Sequence, residues 1–188
     1  MDIRRRIELV RTCMKALNRG IWRTSISLST KLRLYNVYIL PVLLYKADTW
    51  SMTVASKRRL DAFNHWFLRY ILHVPFTAHF TNQEVRSRTG QTPGTSLVKS
   101  RRLQLFGHNT RAEPAQDHAR ALRASISRLP EDWRRPRGRP RQSWLRTVEA
   151  DLKALNFGLH TVCRREADRS TWRSVMETAM LLDGRATP

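Results

Sequence analysis

The stretch VASKRRLDAFNHWFLRYILHV, residues 54–74, decides the fold class. Leu60, Phe63, Phe67, Tyr70, Ile71 and Val74 recur at intervals that place them along one stripe of a helix, whereas Lys57, Arg58, Arg59 and Arg69 fall mostly away from it. Thr53 stands immediately before, with the side-chain oxygen that serves a helix N-terminus. His65, Trp66 and His73 read as partly exposed packing residues rather than ligands.

On the N-terminal side, Ile3, Ile7, Val10, Met14 and Leu17 mark a first amphipathic helix, closed by Asn18 to Gly20. Arg4, Arg5, Arg11 and Lys15 fall mainly on its other side. Ser27 or Ser29 caps a second helix beginning at Thr30-Lys31. From Val37 this helix turns apolar all round, which predicts a central, buried element, and Pro41 should kink it. On the C-terminal side, Thr81-Asn82-Gln83-Glu84 has the form of a capping box, followed by a short helix to Arg88 and a turn through Gly90, Pro93 and Gly94. A helix from Thr95 to about Arg111 carries Leu97, Leu103, Leu105 and Phe106 together with Lys99, Arg101, Arg102 and Arg111. The turn before it is longer than a helix-turn-helix allows, so a helical hairpin with a wet basic face is the preferred reading.

A short helix around Asp117 to Ser125 follows, then one marked by Leu145, Val148, Leu152 and Leu155, and a last one from about Asp168 to Leu182. The strings beginning Ser143-Trp144 and Thr171-Trp172 look alike, as two helices that each start with a Trp wedge. No useful strand-like alternation occurs. The expected fold is all-α: an irregular helical bundle with an extended Arg/Pro/Gly-rich connector and a C-terminal helical pair. The expected domains are a bundle over residues 1–112, a linker over 113–141 and a helical subdomain over 142–188.

The 188 residues carry a formal net charge of +20, with 41% hydrophobic residues, enough to build a core and argue against wholesale disorder. So large a positive excess implies a polyanionic partner, RNA or DNA before a membrane surface. Only Cys13 and Cys163 are present, which argues against a disulfide framework and fits a reducing, intracellular setting, nucleus or cytoplasm. The opening Met1-Asp2-Ile3-Arg4-Arg5-Arg6 is not followed by the apolar run of a secretory signal, and the apolar run at residues 37–45 is too short for a bilayer. His160 and Cys163 have no second pair nearby, so no zinc site, other metal or cofactor is expected.

Residues 133–144, WRRPRGRPRQSW, set Arg134, Arg135, Arg137, Arg139 and Arg141 among Pro136, Gly138 and Pro140. Two prolines so close predict an extended ribbon, and a hydrophobic core would not tolerate its charge. Its core resembles an AT-hook, in which an extended Arg-Gly-Arg lies in the narrow minor groove of A·T-rich DNA. That likeness would put Arg137 and Arg139 in the groove and Arg134, Arg135 and Arg141 on flanking phosphates. Generic backbone binding and a solvated linker remain alternatives.

Thr30-Lys31-Leu32-Arg33-Leu34-Tyr35-Asn36, Leu40-Pro41-Val42-Leu43-Leu44-Tyr45 and Asp48-Thr49-Trp50 carry a wider resemblance. Further matches are Arg58-Arg59-Leu60-Asp61-Ala62-Phe63, Arg101-Arg102-Leu103-Gln104-Leu105-Phe106-Gly107-His108, the Arg-Pro-Gly ribbon, and Ala167-Asp168-Arg169 with Trp172-Arg173. In that order they resemble the C-terminal part of the reverse transcriptase of LINE-type (non-LTR) retrotransposons, over nearly the whole chain. The resemblance implies thumb helices that grip a primer–template duplex, followed by a basic tail that holds template RNA or target DNA, with upstream polymerase domains as partners. The family pattern Tyr-Gly-x-Glu-Thr-Trp is altered here, with Lys46 for the glycine and Asp48 for the glutamate. Lys46 is expected to crowd the end of the second helix, and it raises the alternative of a decayed copy.

Reverse transcription needs clustered carboxylates on two divalent metals, and this chain has no Asp-Asp pair. No catalytic residue is assigned. The expected nucleic-acid contacts are Lys57, Arg58 and Arg59; Lys99, Arg101 and Arg102; and Arg134, Arg135, Arg137, Gly138, Arg139 and Arg141. The rival readings are one piece of a working polymerase–endonuclease, a translated remnant without selected activity, and an AT-hook-like DNA-binding protein.

Overall fold

The computed structural model describes residues 3–75, 77–127, 132, 134, 143–159, 161–162 and 169–185. Among them the protein is helical and has no strand, so the fold is all-α. In chain order the helices are α1 Ile3–Ala16, α2 Leu28–Leu34, α3 Leu40–Leu43, α4 Val54–Ile71, α5 Asn82–Thr89, α6 Gly94–Thr110, α7 Asp117–Ile126, α8 Trp144–Lys153 and α9 Arg169–Arg185. The predicted connector lies almost wholly outside the described residues. No helix of the described residues is long and apolar enough to cross a membrane.

The helices form two compact units, Met1–Ala47 with Thr53–Leu97, and Asp48–Met52 with Val98–Pro188. This corrects the expected boundary at residue 112. Leu103 and Phe106 of α6 are core residues of the second unit, and Leu122 of α7, expected to lie in a linker, joins the same core.

In the first unit, α1 and α2 pack on α4. The sequence stripe is the buried face: Leu60, Phe63, Phe67 and Ile71 are buried, and Tyr70 and Val74 half-buried. Phe67 sits at its centre, edge-on to Trp22 at 5.4 Å and stacked on Tyr35 at 4.7 Å. The Tyr35 hydroxyl donates to Asn64 Oδ1, and burial pushes its phenol pKa up. From α1, Ile3, Ile7, Val10 and Met14 are buried at the predicted spacing. Thr53 caps α4 by accepting from the Ser56 amide at 3.2 Å.

The second predicted helix is broken in two. Ser27 caps α2, accepting from the Thr30 amide at 3.2 Å, but Tyr35–Ile39 widens into a π-helical turn before α3. Pro41 lacks an amide and its ring crowds the carbonyl of Val37, so the regular ladder cannot run through. The wider turn sends Ile39, Leu43 and Leu44 inward and leaves Val37 and Tyr38 at 56% and 60% exposure. The expectation of an element buried all round is therefore wrong for these two residues, and also for Pro41 and Tyr45, which are exposed. Lys46 does not crowd the helix end either: its side chain is exposed, with Nζ 5.6 Å from the Tyr45 ring centre. Its departure is in the backbone, at φ 55°, a left-handed conformation that glycine adopts without steric cost.

The Thr81 capping box forms as read, with the Thr81 amide donating to Glu84 Oε2 at 2.7 Å and the Glu84 amide to Thr81 Oγ1 at 3.2 Å. The Thr81 backbone bond is the main reason the Glu84 carboxyl titrates below its ordinary value. Gly90 ends α5 at φ 62°. The start of α6 is tied to α4 by Asp61, whose carboxylate accepts from the Thr95 amide at 3.0 Å and hydroxyl at 2.8 Å.

In the second unit the core gathers Leu103, Phe106, Leu122, Val148, Leu152, Val162, Trp172 and Ala179. Both tryptophan wedges flank Phe106, Trp144 at 6.3 Å and Trp172 at 6.2 Å. The Trp172 indole lies directly on Gly107. A Cβ there would fall 2.7 Å from Trp172 Cδ1 and 2.8 Å from Cε2. Helix propensity alone would make Gly107→Ala stabilising by about 1 kcal/mol. Overpacking of about 1–3 kcal/mol should outweigh it. The variant is expected to unfold at lower urea, and a raised midpoint would mean that the indole moves aside freely.

Candidate nucleic-acid interface

The sequence-predicted contact residues separate into three fates. Lys57, Arg58 and Arg59 are exposed on α4. The first turn of that helix holds no acidic residue, so the positive end of the helix dipole and these cations act with one sign. Arg134 is exposed, while Arg135, Arg137, Gly138, Arg139 and Arg141 lie outside the described residues.

The basic row of α6 is a correction. Lys99 is 5% exposed and donates to the Ala179 carbonyl at 3.3 Å. Arg102 is 1% exposed, with Nε donating to Asp151 Oδ2 at 2.7 Å, Nη2 to the same oxygen, and Nη1 to the Trp50 carbonyl at 3.1 Å. Arg101 is half-buried. The predicted wet basic face is thus mostly dry. Lys99 and Arg102 satisfy carbonyls and a carboxylate inside the second unit and cannot meet a phosphate, which removes them from the interface.

Local spacing brings a different set together in the first unit. Arg59, Ala62, Phe63 and Trp66 follow one another at i, i+3, i+4 and i+7 on α4, and Arg4, Ile7, Glu8 and Arg11 share a face of α1. Where the two helices pack, these eight residues line a groove of about 560 Å³. That volume lies within the ~300–1,000 Å³ typical of small-ligand clefts. Its wall is aromatic: Trp66 stacks with Phe63 at 5.6 Å and Tyr70 at 6.0 Å, yet remains 47% exposed. The Arg11 guanidinium lies 5.8 Å from the Phe63 ring centre and pairs with Glu8 at 2.7 Å. Arg4 and Arg59 are exposed.

By spacing alone, Arg4 and Arg11 fall mainly on the side of α1 away from its apolar stripe, and Trp66 reads as a partly exposed packing residue. The spacing of Arg59, Ala62, Phe63 and Trp66 was the available signal, but the pairing of α4 with α1 was not.

His65, on another face of α4, is buried rather than partly exposed, and its Nε2 has no hydrogen-bond partner among the described residues. Burial first, then the Arg86 guanidinium, lowers its pKa, with Asp61 acting the other way. A neutral ring follows at neutral pH. Among the described residues no group of three His, Cys, Asp or Glu side chains is placed to hold a metal ion. No protein-family model, curated protein or solved structure matches the chain.

Proposed function

We propose that this chain binds nucleic acid without catalysing a reaction, as the thumb and post-thumb part of a LINE-type reverse transcriptase, with catalysis supplied by other domains. The supporting observation is the first unit's combination of an arginine-lined groove with the exposed Lys57, Arg58 and Arg59 of α4, in a chain of net charge +20. Exposed cations on that scale repel one another and do not stabilise a fold, but they suit a row of phosphates. The left-handed Lys46, at the position where the resembled pattern has glycine, also supports the family reading.

Binding to a labelled oligonucleotide should weaken linearly with the logarithm of salt, by about 0.9 for each phosphate neutralised on a duplex. The triple change Lys57→Ala, Arg58→Ala, Arg59→Ala should lower that slope by about 1 per cation removed, with little dependence on sequence. An unchanged slope would make the α4 row an ordinary solvated face. The same titration with Arg137→Ala and Arg139→Ala tests the ribbon separately.

A further inference from the structure

We propose that the groove between α1 and α4 docks an acidic amphipathic helix of a partner protein. The proposal goes beyond the nucleic-acid reading, in which phosphates meet the groove's arginines and leave its apolar floor uncovered.

Four residues make that floor: Ile7 and Phe63 are buried beneath it, and Ala62 and Trp66 stay exposed. Phe63, Trp66 and Tyr70 stack in series along α4, at 5.6 and 6.0 Å, so Trp66 has a ring on each side and shows the groove its edge. A ring edge is the positive part of the aromatic quadrupole and packs against aliphatic groups and carboxylates. Arg4 stands on the α1 side and Arg59 on the α4 side, both exposed and without an ion-pair partner among the described residues. Glu8, the one acid in the lining, is already paired with Arg11 at 2.7 Å. From Arg59 to Trp66 the groove follows α4 for two turns, about 10 Å. Over that length a partner helix presents apolar anchors at i, i+3 or i+4, and i+7. Carboxylates beside those anchors complement Arg4 and Arg59. A phosphate chain brings the charge without aliphatic anchors, and a second copy would set one +20 chain against another. Eight lining residues are fewer than the ~20–30 a side of a stable complex, so the docking is transient.

The test uses the full chain and labelled peptides about 15 residues long, a length at which a helix is marginal alone and gains from a groove. Both peptides contain Leu, Glu and Ala in identical amounts; one sets Leu at helical spacing with Glu beside it, and the other has no apolar face. The patterned peptide should bind at least about 10-fold more tightly, the effect of burying one leucine-sized side chain. Ala62→Gln, which sets a longer polar side chain on the floor, should remove most of that advantage. Oligonucleotide binding by the same variant should stay within about 2-fold of the parent, as for an ordinary surface change. Arg4→Glu with Arg59→Glu should reject the patterned peptide and accept its counterpart with Lys in place of Glu, which also shows that the variant is folded. Equal binding of the two peptides by the unaltered chain, or an advantage that survives Ala62→Gln, overturns the docking site and leaves the nucleic-acid reading intact. An equal loss of oligonucleotide and peptide affinity in Ala62→Gln would give the floor to nucleic acid and refute the proposal.

Discussion

Replacing Asp151 by alanine is expected to lower the stability of the second unit by about 3–5 kcal/mol. Arg102 is 1% exposed, and two of its nitrogens donate to the same Asp151 oxygen. A guanidinium does not lose its proton at accessible pH, so removal of the carboxylate leaves a full charge in a dry interior. With total stabilities near 5–15 kcal/mol, such a loss leaves a large unfolded fraction. Urea unfolding followed by circular dichroism measures it. Replacing both partners, with Arg102→Met and Asp151→Leu, should recover most of the loss, because an apolar pair of similar size removes the buried charge altogether. A single-variant loss below about 1 kcal/mol would mean that water reaches Arg102, and would return it to the surface cations that could meet a phosphate.

Phe67→Ala should cost the first unit a comparable amount, about 3–5 kcal/mol. The ring is fully buried, and its contacts with Trp22 and Tyr35 add about 0.5–1.5 kcal/mol each beyond the area they cover. Urea unfolding followed by circular dichroism measures the loss. The adjacent Trp66 provides the contrast: it is half-exposed, and its truncation should disturb binding far more than folding. A Phe67→Ala chain as stable as the parent would show that α4 is not the spine of the first unit.

The helices themselves were legible. The stripe of α4, the caps at Ser27, Thr53 and Thr81, and the close of α5 at Gly90 all rest on contacts within three or four residues. The second helix was read less well because periodicity registers Val37 and Tyr38 as apolar but not the π-helical turn that rotates them outward. The candidate site was half legible: Lys57, Arg58 and Arg59 lie exposed as expected, whereas Lys99 and Arg102 look identical to them in sequence and are buried.

The helical class, most helix starts and the excess of positive charge can be read without coordinates, because each follows from local spacing or from simple counting. Which cations face water is set by packing between helices distant in sequence. Arg102 meets Asp151 across 49 positions of sequence, and Lys99 meets Ala179 across 80. Arg4 shares a groove with Trp66 only because α1 packs on α4. Local periodicity carries no information about such long-range meetings: burial of an arginine depends on a carboxylate that the fold, not the neighbouring sequence, brings to it.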